Sequence, residues 1–198
     1  FEHVGSLLCE KDRSHAVLRR IGMPVAAQRR VDSAAAARRA AAELGGRVVL
    51  KPSRGHGGVG VTVGVTTADE IDRAFHVAAA SDAGAVLVES FIPGEDFRLV
   101  LIDGRLVAAA RRIPAHVVGD GFHTVEELVA VLNSDPRRGS VDIDDLVRID
   151  LDEEADRVLA RDGHDRASVP APGETVFLRA TANISTGGTA EDVLERVH

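Results

Sequence analysis

Lys51 stands at the end of a short aliphatic run, Val48-Val49-Leu50, and a loop carrying Gly55, Gly57, Gly58 and Gly60 follows it. Apolar residues resume at Val59, Val61, Val63 and Val65, alternating as a second strand would. A strand ending in lysine, a glycine loop and a returning strand can form a cover for phosphate. Glycines let backbone N–H groups approach oxyanions closely, and the ammonium supplies a compact positive charge. The order of parts excludes the common P-loop, in which the lysine follows the glycines and opens a helix. It also excludes a dinucleotide fingerprint, since no helix starts after the loop. The same residues fit a glycine-rich hairpin with a surface lysine.

The 198 residues carry a net charge of −7, which argues against general nucleic-acid binding, so an anionic ligand needs a local positive cluster. Of 24 basic residues only Lys11 and Lys51 are lysines, and the rest are arginine. A point charge on a thin stem suits a tight phosphate site better than a planar guanidinium does. Aromatics make up 3 % of the chain, with no Trp or Tyr, so aliphatic residues must build the core and no base-stacking surface exists. Cys9 is the single cysteine; it reads as an inert core thiol and excludes a disulfide framework. With no signal peptide and no run near the roughly 20 apolar residues of a membrane span, the chain reads as cytoplasmic, with no membrane partner.

The surrounding elements must hold these groups in place. Lys11 to Ile21 has helical spacing through Ala16, Val17, Leu18 and Ile21, and Gly22 with Pro24 stops it. Residues 25–90 read β-α-β-β-α-β: an extended piece at 25–32, an alanine-rich helix from Ser33 to Leu44, the two strands around the glycine loop, a helix from Thr67 to about Ala80 opened by a Thr67…Glu70 capping box, and a strand at 85–89. Pro93-Gly94 marks a turn between lobes. Arg98–Ile102 and Arg105–Arg111 form a hairpin about Asp103-Gly104. A second capping box, Thr124…Glu127, opens a helix to about Leu132; residues 133–148 read as a polar surface loop, and 152–161 as a helix. Residues 175–179 read as a strand, 181–189 as a polar glycine loop, and 192–197 as the start of another helix.

Five stretches carry a family resemblance: LKPSRGHGGVGVT, VESFIPGEDFR, RRIPAHVVGDGFHTVEELV, NSDPRRG and LRATANISTGG. Together they span nearly the whole chain, which resembles the ATP-grasp ligases and, among them, the ATP-grasp region of cyanophycin synthetases and related amino-acid and peptide ligases. The resemblance implies an α+β ATP-grasp fold, two lobes holding ATP between them, with its C-terminal part missing. It implies a helix of the large lobe in 1–24, the small lobe with its glycine loop in 25–92, and an incomplete C-terminal lobe in 93–198. It also implies a reaction in which ATP phosphorylates a carboxylate and an amine attacks the acylphosphate, with ATP and Mg2+ as cofactors. Amino acids or peptides are the implied substrates, and a homo-oligomer is compatible with the reading.

The resemblance places Lys11 and Lys51 on the two phosphate-contacting lysines, and Ser53, His56, Gly57, Gly58 and Gly60 on the loop over the phosphates. Glu89, Ser90, Phe91 and Ile92 match the hinge that meets adenine, and Asp96 the acidic residue that binds ribose hydroxyls. Arg98, Arg112, His116, Arg179, Asn183 and Ser185 match the acceptor and acylphosphate side. The residues alone also allow plainer roles: Glu89 as a solvated strand end, Asp96 as turn chemistry, His116 as a loop-orienting group, and Arg98 and Arg112 as partners of acidic neighbours such as Asp103. His56 is displaced by one place from the histidine of the cyanophycin synthetase loop pattern, and the loop also resembles that of D-alanine–D-alanine ligases. The family's Mg2+ ligands, an Asp…Glu-x-Asn arrangement, lie beyond residue 198, so these residues alone are expected to bind nucleotide weakly without turnover. The alternatives are a dipeptide ligase of the N-acetylglutaminylglutamine synthetase type and a non-catalytic nucleotide-binding module; a carboxylase-type ATP-grasp protein is disfavoured by TANISTGG.

Overall fold

A computed structural model of the chain describes residues 10–55, 57–81, 85–139 and 146–197. His56 and Cys9 lie outside the described residues. The chain divides into two compact units, Phe1–Pro93 and Gly94–His198.

The first unit runs α1 (Lys11–Arg20), β1 (Gln28–Val31), α2 (Ala34–Glu43), β2 (Val48–Pro52), β3 (Thr62–Val65), α3 (Ala68–Ser81) and β4 (Val86–Ser90). Its four strands lie in the order β1-β4-β2-β3, and every neighbouring pair is antiparallel. Alternation along β2 buries Val48 and Leu50 against α2 and α3. The helices meet the sheet through Ala37, Ala40, Ala41, Ala74 and Ala78, residues small enough to let backbones approach closely. Ser33 caps α2 by accepting from the Ala36 N–H at 3.3 Å. The helix over Lys11–Arg20 forms, yet none of its side chains is buried, and Val17 and Ile21 are exposed.

One boundary differs from the sequence reading. Val59 is 65 % exposed and belongs to the turn at 57–60, so the returning strand starts only at Thr62. Gly57, Gly58 and Gly60 all have positive φ, which interrupts the alternation that the valines suggest.

Glu70 closes the capping box of α3. Its Oε2 accepts from the Thr66 and Thr67 N–H groups, each at 2.9 Å, while the Glu70 N–H reaches the Thr67 hydroxyl. Those backbone donors lower the Glu70 pKa to about 2. Because the folded value is depressed, this cap stabilises the protein above about pH 4.5 and is lost as pH falls towards 2. Glu70→Gln is therefore expected to lower the thermal midpoint at pH 7 and to converge on wild type near pH 2, read by circular dichroism across that range.

The second unit runs β5 (Asp96–Ile102), β6 (Arg105–Ile113), β7 (His116–Val118), α4 (Val125–Asn133), β8 (Arg138–Gly139), β9 (Leu146–Val147), α5 (Glu153–Arg161), β10 (Thr175–Phe177) and β11 (Thr189–Asp192). β11, β6 and β5 form an antiparallel sheet, β7 pairs with β10, and β8 runs parallel to β9. Asp103 (φ 50°) and Gly104 (φ 74°) make the two-residue turn of the β5–β6 hairpin, which extends beyond its expected ends to Asp96 and Ile113. A register shift between Val100 and Leu101 sets Asp96 opposite Arg112. The core gathers Ala115, Val117, Val125, Val129, Leu159 and Leu178 from β7, α4, α5 and the segments beside them. Thr124 and Glu127 make the expected reciprocal cap of α4, and Asp152 caps α5.

Three expectations are corrected here. The polar stretch 133–148 is not merely a surface loop: it contains β8 and β9, and Arg138 within it is buried. The strand over 175–179 ends at Phe177. Residues 192–197 do not start an α-helix: Asp192 finishes β11, the Val193 N–H donates to the Ala109 carbonyl at 2.9 Å, and only a short 3-10 turn follows at Leu194–Arg196. Val193 is buried, so strand pairing wins over the charged, helix-like composition.

Candidate functional site

In the first unit Lys51 stands near the C-terminal end of β2 and Lys11 at the start of α1. Lys51 alternates with the buried Leu50 and so stands on the sheet face opposite the alanine core. Its Nζ lies 2.6 Å from Glu89 Oε2 on β4, and Gln28 on β1 donates to the other Glu89 oxygen at 2.5 Å. A polar row thus crosses three strands. Lys11 reaches the glycine loop from α1: its Nζ donates to the Gly55 carbonyl at 2.9 Å and the Pro52 carbonyl at 3.2 Å. Its backbone N–H donates to the Ser53 carbonyl at 2.9 Å. The Lys11 ammonium is therefore held at the entry to the glycine loop, while the Lys51 ammonium turns back along the sheet to Glu89, which stands opposite Val49. Ser53 is buried there, its N–H bonded to the Ala85 carbonyl.

The loop needs glycine for two separate reasons. Gly55, Gly57 and Gly58 sit at φ values of 105°, 67° and 81°. Gly60 combines a φ of 72° with close packing, since an added Cβ would lie 2.4 Å from Ser81 Oγ. The hinge candidates follow β4. The Ser90 hydroxyl accepts from the Ala27 N–H, Phe91 carries the Arg47 guanidinium 4.1 Å from its ring centre, and Ile92 is exposed.

The second unit holds the remaining candidates. Asp96 accepts from Arg112 Nε at 2.7 Å, so residues assigned to ribose and to the acceptor side are a cross-strand ion pair. Arg112 thus pairs with Asp96 rather than with Asp103. Arg98 lies opposite Ala110 and is exposed. His116 sits on β7, with Nδ1 2.8 Å from the Pro114 carbonyl and its ring beside Phe177. The Asn183 carbonyl accepts from the N–H groups of Thr186 and Gly188, which closes the glycine loop around the turn that holds Ser185.

His116 and Gly187 line one cleft of about 380 Å³, together with Arg138 and an apolar wall that includes Val117, Leu128 and Leu132. Arg179 is not among the residues lining it. Its side chain is 4 % exposed, and its guanidinium donates to the Leu178 carbonyl, the Asp150 carbonyl and Asp152 Oδ2 at 2.9–3.0 Å. Glu154 lies 4.0 Å from it; burial pushes the Glu154 carboxyl up, and Arg179 opposes that rise. Beside the cleft strand, Asp120 accepts from the N–H groups of Phe122 and His123 and from His123 Nδ1. Those bonds hold its carboxyl below the usual range and raise His123.

Among the described residues no group of three or more His, Cys, Asp or Glu side chains is placed to hold a metal ion. No helix among them is long and apolar enough to cross a membrane. Arg138 is the site residue that the sequence reading passed over. The run NSDPRRG offers two adjacent arginines and no periodicity to show which one turns inward.

A small antiparallel α+β unit whose lysine-ended strand feeds a glycine loop is the architecture of the ATP-grasp fold, and the chain is homologous to the ATP-grasp regions of cyanophycin and glutathione synthetases. Residues 23–120 match the model of the prokaryotic glutathione synthetase ATP-grasp domain. Over 194 residues the chain is 39 % identical to a cyanophycin synthetase from Crocosphaera subtropica, covering 97 % of this chain and 22 % of that protein. It is also 39 % identical over 151 residues to the glutathione biosynthesis bifunctional protein GshAB of Streptococcus thermophilus, covering 75 % of this chain and 20 % of the relative. Among solved structures, a bifunctional glutathione synthetase from Pasteurella multocida superimposes with a TM-score of 0.54 at 34 % identity, over 95 % of this chain and 26 % of that one. The chain thus spans about a fifth of the length of the curated relatives it matches.

Proposed function

We propose that the protein carrying this region is an ATP-dependent carboxylate–amine ligase of the cyanophycin synthetase type, acting on amino acids or peptides in the cytoplasm. The observation that carries this reading is the Lys11 ammonium held on the glycine loop that follows the lysine-bearing strand β2, in a chain similar to cyanophycin synthetase over 97 % of its length. In this reading a substrate carboxylate oxygen attacks the γ-phosphorus and ADP leaves. The amine nitrogen then attacks the acyl carbon, inorganic phosphate departs, and the amine loses a proton. The protein contributes positioning and charge rather than covalent chemistry.

Lys11, Lys51, Ser53 and the N–H groups of Gly57, Gly58 and Gly60 would hold the phosphates, with Glu89 to Ile92 at the base and Asp96 at the ribose. Arg98, Arg112, His116, Asn183 and Ser185 would serve the acceptor side, and the loop at 183–188 with Arg179 behind it would shape that side. Mg2+ is part of the proposal through the family alone, and no step is assigned to it. The match to a glutathione synthetase domain model favours a second reading in which the product is a short peptide.

The test is phosphate release by the full-length protein with ATP, magnesium and a panel of amino acids and short peptides. Release that depends on both an acid and an amine, with a product heavier by the condensed pair, supports the ligase. Nucleotide binding without release under every pairing favours a binding module and overturns it.

A further inference from the structure

We propose that Arg138 is a positioning residue for the acceptor-side glycine loop, a role that rests on the ligase reading above. Arg138 belongs to β8, far in sequence from that loop, and is 8 % exposed. Its Nη1 donates to the Val147 carbonyl on β9 at 2.7 Å and to the Gly187 carbonyl at 3.3 Å. The Gly187 carbonyl and the Gly188 N–H belong to one peptide plane. The other edge of that plane is held too, since the Gly188 N–H donates to the Asn183 carbonyl at 3.0 Å. One peptide is thus gripped from both sides, and the turn carrying Asn183 and Ser185 is closed by that grip.

The packing around this plane admits no side chain at either glycine. A Cβ at Gly187 would lie 2.7 Å from Ile149 Cγ1, and one at Gly188 would lie 2.7 Å from both the Asn183 and Ile113 carbonyl oxygens. Gly187 also sits at φ 90°. Contacts this close fix the loop against β6 and the segment after β9, and Arg138 is the side chain that ties those parts to β8. Burial pushes its guanidinium below the ordinary arginine value, and Asp135 opposes that fall. Both bonds leave from one nitrogen, so a lysine ammonium, on a shorter stem, copies the arrangement only in part.

Two readouts test the proposal. In this chain, Arg138→Met should speed amide hydrogen exchange at Gly187 and Gly188 by about tenfold while the Leu178 amide, bonded to Ala115, keeps its protection. In the full-length protein the same change should lower kcat about tenfold and leave KM for ATP within about twofold. Arg138→Lys should fall between the two, and Arg137→Ala, on the exposed neighbour, should match wild type. Unchanged exchange at Gly187 and Gly188, or lost protection with an unchanged kcat, overturns the role. If Arg138→Met unfolds, the Arg138→Lys exchange and kcat values decide by the same criteria. A wild-type protein that turns over no acid–amine pair overturns the ligase reading, and the exchange data then decide separately whether Arg138 fixes the loop.

Discussion

Lys51→Ala in the full-length protein is expected to lower kcat/KM for ATP by about 100-fold or more, the range seen when one preorganised group facing transition-state charge is removed. Lys51 sits on a strand whose neighbours on both sides are packed, so its stem is fixed and its ammonium is delivered to one point. Removing it also strands Glu89, a largely buried carboxylate left with Gln28 as its remaining described partner. That second effect is on stability, and Glu89→Gln separates the two. Lys51→Ala combined with Glu89→Gln should recover much of the thermal midpoint and none of the phosphate release. Lys51→Arg should not rescue release either, because a planar fork does not fit where a point charge is needed. Steady-state phosphate release on wild type and the four variants is the measurement; a Lys51→Ala rate equal to wild type would remove this lysine from the proposed nucleotide site.

Arg179→Ala is expected to destabilise the second unit by about 2–4 kcal/mol, because buried carbonyls lose their donor and a cavity opens. The guanidinium is shared between the Leu178 and Asp150 carbonyls and Asp152, so it joins the end of the core strand region to the first turn of α5. For a unit of this size the thermal midpoint should fall by roughly 10 °C or more. Phosphate release by the full-length protein should fall with it, even when assayed well below the transition, since the loop at 183–188 begins a few residues after Arg179. Asp152→Asn keeps a capping oxygen and should cost far less, about 1 kcal/mol or below. Denaturant unfolding monitored by circular dichroism gives the comparison, and a wild-type midpoint for Arg179→Ala would show that the buried network is dispensable.

The elements that the sequence announced most clearly were those closed by local chemistry. Thr67…Glu70 and Thr124…Glu127 each form their reciprocal bonds, and Asp103-Gly104 makes its two-residue turn, because every partner lies within a few residues. The β-α-β-β-α-β order of the first unit was legible for the same reason, through caps and glycine stops. What stayed hidden depended on distant partners. β7 is three residues long and has β10 as its one strand partner among the described residues. The Asp96–Arg112 pair shows the limit well. A regular hairpin closed at Asp103-Gly104 sets Arg111 opposite Asp96, and the irregularity at Val100/Leu101 moves the register by one residue. Arg111 instead forks to Glu95 and Glu191, an arrangement that needs β11 in place. Arg138 and Arg179 were unreadable as buried groups, since arginine in a polar stretch usually faces water.

The scarcity of lysine has a practical corollary. Any reagent that acylates side-chain amines can strike this polypeptide at two addresses only, one hydrogen-bonded to loop carbonyls and one masked by a carboxylate. Mass spectrometry of such labelling therefore reports on the proposed phosphate site with almost no background, and bound nucleotide is expected to shield both addresses together.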